Sequence, residues 1–63
     1  MKYQDQVVAT LERRGYRQTS TLSNDEIILE KRVGAGGHLF AAVDIDGMVN
    51  GKTVLEFLAQ KQN

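Results

Sequence analysis

The stretch that most constrains this chain is Glu26 to Asp46, EIILEKRVGAGGHLFAAVDID. Two runs rich in β-branched and aromatic residues flank Gly34-Ala35-Gly36-Gly37, the pattern of a β-hairpin with a glycine-rich tip. Ile27, Leu29 and Val33 are apolar at odd positions of the first run, with Lys31 interrupting; Leu39, Ala41, Val43 and Ile45 are apolar at odd positions of the second. Successive strand side chains point to opposite faces, so odd positions must pair with odd if the apolar faces are to coincide. A plain four-residue tip would set Val33 against His38 and break that rule. The expected register therefore opposes Val33 to Leu39, Leu29 to Val43 and Ile27 to Ile45. It leaves a five-residue tip, Gly34 to His38, or a bulge at that point.

The other face of the hairpin carries Ile28, Glu30, Arg32, Phe40, Ala42 and Asp44, with Arg32 expected roughly opposite Phe40. It reads either as a solvated face with scattered apolar residues or as a contact surface.

Size sharpens that choice. The chain has 63 residues, read as one domain, 1–63. A domain of this size buries only about 60% of the surface its unfolded chain exposes. Small domains therefore lean on disulfides, a metal or oligomerisation. There is no cysteine and a single histidine, so neither a disulfide nor a structural zinc site can be built. Association with a second copy is the remaining device. Eight basic residues balance eight acidic ones, which argues against strong attraction to nucleic acid or an anionic membrane. No charged-then-apolar leader and no apolar run near 18 residues is present, and the expectation is a cytoplasmic protein without membrane contact.

Residues 2–14 have helical periodicity, with Tyr3, Val7, Val8 and Leu11 forming one apolar stripe. Arg13 and Arg14 suit the negative end of its dipole. Gly15 is the expected left-handed cap, and Tyr16 the apolar residue that packs back on the last turn. Residues 16–22 read as a strand, and Ser23-Asn24-Asp25 as the turn into Ile27. After the hairpin, Asp46-Gly47 marks a tight turn, and Met48-Val49 either forms a short extra strand or leads into the next helix. A second helix is expected from about Gly51 to Gln62, with Val54, Leu55, Leu58 and Phe57 as its apolar residues. Asn50 is the preferred cap, and Thr53 with Glu56 the alternative capping box.

The order is helix, strand, strand, strand, helix. With one apolar stripe per helix and one apolar sheet face, the expected fold is α+β. It is a two-layer sandwich, α-β-β-β-α, with a three-stranded antiparallel sheet and both helices on one face. This element order resembles that of double-stranded-RNA-binding domains and of small toxin ribonucleases of the HicA type. The likeness is one of topology, and topology does not imply function.

Four places invite chemical readings. The glycine tip, flanked by Lys31, Arg32 and His38, could present N–H groups to an anion. Phosphate loops, however, lead from a strand into a helix, and here the glycines join two strands. His38 is the chain's single histidine, the residue type whose charge ordinarily changes near neutral pH. A HicA-type ribonuclease would place its histidine after a Gly-Ser pair, whereas His38 follows Gly36-Gly37. Asp44-Ile45-Asp46-Gly47 matches part of a calcium loop, but Ala42 and Thr53 stand where the first and last ligands belong. Arg13, Arg14 and Arg17 around Tyr16, with Lys31 and Lys2, form the basic residues available for phosphate or bases. A lysine-rich start to the second helix, expected in the RNA-binding family, is reduced to Lys52.

The expectation is a non-enzymatic module that docks on a protein partner through Ile28, Glu30, Arg32 and Phe40, or through an exposed edge strand. It needs no metal, cofactor or small-molecule substrate, since so small a chain cannot enclose an ordinary ligand pocket. A homodimer would use the same surfaces. A stand-alone regulator or inhibitor of the sort carried by phages and other mobile elements fits the size. The alternatives are a nucleic-acid binder using Arg13, Arg14, Arg17 and Lys31, and a HicA-like ribonuclease using His38.

Overall fold

The computed structural model describes residues 3–60; Lys2 and the expected extension of the second helix through residues 61–62 lie outside them. The elements are α1 (Tyr3–Arg13), β1 (Arg17–Thr21), β2 (Ile27–Val33), β3 (Gly37–Val43) and α2 (Val54–Ala59). The strands form one antiparallel sheet in the order β1-β2-β3, so β2 is central and the other two are edges. The expected α-β-β-β-α architecture is the observed one.

In α1 the buried stripe is Gln4, Val7, Val8 and Leu11. Tyr3, expected in that stripe, is 56% exposed and lies against Gly47. Gln4 takes its place because its amide finds two acceptors: Nε2 donates to the carbonyls of Asp25 (2.8 Å) and Val43 (3.2 Å). A buried amide is tolerated only when paired in this way. It ties the first helical turn to the β1–β2 turn and to the end of β3. The helix ends as its sequence implies. Gly15 has φ 97°, its N–H donates to Glu12 O, and the Tyr16 N–H reaches back to Leu11 O at 3.1 Å. This is a Schellman cap, and it drives Tyr16 into the core.

Odd-numbered residues of β2 and β3 face the helices, with Leu29, Ala41 and Val43 fully buried. The parity expected from the sequence holds, but the register is displaced by one pair. Val33 opposes Gly37, Leu29 opposes Ala41 and Ile27 opposes Val43. The tip is three residues, Gly34 to Gly36, with Gly34 and Gly36 at positive φ. Gly37 belongs to β3, where a Cβ would stand 2.7 Å from the Val33 carbonyl. Ile45, expected opposite Ile27, lies exposed in the following turn.

That turn is built by Asp44, whose Oδ1 accepts from the N–H groups of Asp46 (3.0 Å) and Met48 (2.9 Å). Met48-Val49 does not complete a strand: Val49 makes isolated bridges to Val43 and Lys52. Asn50 is not a helix cap. At φ 52°, its N–H donates to Ala42 O, its Oδ1 accepts from the Ala42 N–H, and its Nδ2 donates to Phe40 O. One residue thus occupies the outer edge of β3.

Thr53 caps α2 in a reciprocal box with Glu56. Starting there, Val54, Phe57 and Leu58 face inward and Leu55, expected in the stripe, is 78% exposed. The Phe57 ring meets Tyr16 with centroids 6.0 Å apart. The Thr53 backbone N–H, then its hydroxyl, bonds the Glu56 carboxylate and holds its pKa below the ordinary glutamate value, with Lys52 adding a smaller effect. A carboxylate depressed in the folded state stabilises above its unfolded pKa, and that stability is lost as pH falls through the folded value. Thr53→Ala should cost about 1 kcal/mol at neutral pH. In thermal melts the gap from wild type should narrow below the usual glutamate range. A gap that does not change with pH would mean that the Thr53 backbone N–H, which alanine keeps, alone holds the carboxylate.

Candidate functional site

The sheet face away from the helices holds the candidate residues in cross-strand rows. Arg17, Glu30 and Phe40 form one row across β1, β2 and β3; Arg32 and His38 form the next; Ser20, Ile28 and Ala42 form the third. All four residues expected to bind a partner, Ile28, Glu30, Arg32 and Phe40, therefore share one face. Arg32 faces His38 rather than Phe40, because of the one-pair displacement. Phe40 is 60% exposed, Arg32 and Arg17 are exposed, and Ile28 and Ala42 are half-buried between them.

The displacement has a chemical result. His38, expected in the tip, is a strand residue diagonal to Glu30, and its Nδ1 lies 2.5 Å from Glu30 Oε2. Among the described residues no other carboxylate lies within 4 Å of a basic side chain. The imidazole also lies nearly parallel to the Phe40 ring, with centroids 6.4 Å apart and planes 18° apart. Glu30 thus orients His38, and His38 flanks Phe40.

The basic residues separate. Arg13 and Arg14 are exposed at the end of α1, where Arg13 reaches Thr10. Arg17 and Lys31 come together with Gly15, Glu30 and Arg32 around an open groove of about 430 Å³ beside the start of β1. Lys31 lies over the Tyr16 ring, 5.7 Å from its centroid, a cation–π contact that fixes the direction of its stem.

Comparison with protein-family models, curated proteins and solved structures finds no match.

Among the described residues no group of three or more His, Asp or Glu side chains could hold a metal, and no helix is long and apolar enough to cross a membrane. Asp44 is committed to its turn, with Oδ1 accepting from the backbone N–H groups of Asp46 and Met48. Two features escaped the sequence reading. The Glu30–His38 pair depends on register. The groove depends on β2 continuing past the first residue of β1.

Proposed function

We propose that this protein is a non-enzymatic docking module whose open sheet face binds a protein partner. The observation that supports the reading is Phe40, a large apolar ring 60% exposed on a strand, flanked in its own row and the next by Glu30, Arg17, Arg32 and His38. Aromatic and arginine side chains are the residue types that concentrate binding energy at protein interfaces. Burying a phenylalanine side chain is worth about 1.5–3 kcal/mol. On a rigid sheet the ring's position is already set, so binding loses little side-chain freedom. Ile28 and Ala42 supply an apolar floor beside it.

Phe40→Ala should weaken capture of the partner by about 10- to 100-fold while leaving circular dichroism and thermal stability near wild type, since the ring is mostly outside the fold. Arg32→Glu should act in the same direction. Retained capture by both variants would sink this face. Light scattering over a dilution series identifies the case in which the partner is a second copy.

A second reading, a ribonuclease using His38, gains support from the Glu30 carboxylate at Nδ1 and from Arg32 in the facing position. An oriented imidazole beside a cation is a pairing suited to proton transfer next to a phosphate. His38→Ala would then abolish cleavage of single-stranded RNA; no cleavage by the wild-type protein removes this reading.

A further inference from the structure

The groove beside β1 has two properties that point to the same occupant. The first is charge. Arg17, Lys31 and Arg32 line it with one carboxylate, Glu30, and that carboxylate is paired with His38. Among the described residues none of the three cations has a carboxylate partner. Clustered like charges without counter-charges favour an anionic ligand.

The second is an open strand edge. Ala42 directs both its N–H and its C=O at Asn50, away from β2. Its cross-strand partner Ile28 therefore directs its backbone groups toward β1, as the bond from Thr19 Oγ1 to Ile28 O confirms. Backbone direction repeats every second residue, so Glu30 and Arg32 also address the β1 side. Glu30 meets Arg17, the first residue of β1. Arg32 lies beyond it, where the chain has already turned away through Gly15 and Tyr16 into α1. Among the described residues its N–H and C=O have no backbone partner. The groove is the place a longer β1 would fill.

We propose that this groove takes an extended, carboxylate-bearing peptide segment, which continues the line of β1 by pairing with the Arg32 backbone while its acidic side chains meet Arg17, Lys31 and Arg32. The proposal rests on the protein-docking reading and names the chemistry of that partner. Backbone pairing supplies affinity at a strand edge, and side-chain charge supplies selection. A nucleic-acid strand would satisfy the cations but has no use for a paired N–H and C=O spaced for β-structure.

The test uses a fluorescent pentapeptide of alternating glutamate and valine, titrated with the full chain at low salt. Saturable binding is expected. It should weaken by about tenfold or more when glutamine replaces each glutamate, and likewise in Arg17→Gln/Lys31→Gln. The same peptide N-methylated on its central amides should also lose about tenfold, since it cannot donate to Arg32 O. That arm needs no protein variant. Leu55→Ala should leave peptide binding within about twofold, because Leu55 is exposed on α2 and lines no part of the groove. No binding at millimolar peptide, or equal binding of the methylated form, overturns the proposal. So does a single-stranded RNA oligonucleotide that binds tighter and displaces the peptide. If the peptide fails while Phe40→Ala still abolishes partner capture, the groove proposal falls and the docking face stands.

Discussion

Leu29→Ala should lower stability by about 2–5 kcal/mol, which for a chain this size approaches the whole margin between folded and unfolded. Leu29 is fully buried in the middle of the central strand. The residue opposite it on β3 is Ala41, itself fully buried, so the nearest cross-strand neighbour has no bulk to move into the space. Cavity cost depends on how far a site can collapse, and this one has little to collapse with. A urea titration followed by circular dichroism should show the midpoint falling by about 2 M or more, given a slope near 1 kcal/mol per molar for a small protein. A loss below about 1 kcal/mol would mean that the packing centre lies elsewhere.

Gly47→Ala is the second large effect, and it acts through two separable causes. Gly47 has φ 84°, a conformation that costs an L-residue about 1–2 kcal/mol. An added Cβ would also lie within van der Waals overlap of the Tyr3 ring, 2.7 Å from Cε2 and closer still to Cδ2. Either the ring swings away from the turn or the turn opens. Tyr3 precedes Gln4, whose amide joins α1 to Asp25 and Val43, so displacement of the ring strains that tie as well. The total should reach about 2–4 kcal/mol, the range in which strain and overpacking add. A double-mutant cycle separates the causes: Tyr3→Ala should recover the steric part in the Gly47→Ala background and leave the backbone part untouched. Strict additivity of the two changes would show that the ring does not abut the turn.

The parts of this fold that could be read in advance are those fixed by neighbours along the chain. Gly15 followed by Tyr16 ends α1 because a left-handed residue and an apolar one are both needed within two positions. Odd positions of β2 and β3 meet because face parity leaves no alternative. Parity, however, is blind to a shift of two residues. Loops of three and five both oppose odd to odd, and Gly37 serves equally well as a tip residue or, lacking a Cβ, as the partner of Val33. The candidate site inherits that ambiguity: under the longer tip Glu30 and His38 would stand farther apart, and the pair exists only because the tip is three residues. The second helix failed for a related reason. Asn50 and Thr53 are both acceptable caps, and Asn50 was drawn off by the Phe40 and Ala42 backbone, a contact across about ten positions that no local pattern announces. Gln4 is buried for the same kind of reason, since its acceptors lie 21 and 39 residues away.

Asn50 also sets a limit on how this sheet can multiply. A sheet with two bare edges can accept a strand on each side, and copies joined that way lengthen without end. Here the outer backbone of β3 from Phe40 to Ala42 is already answered by a side-chain amide and a backbone N–H of the same molecule. Across that stretch only the Phe40 N–H is left to a visiting strand. A strand joining this sheet is hindered at β3 and is left the opposite, β1 border, so copies stacking edge to edge would meet one obstructed border at every step.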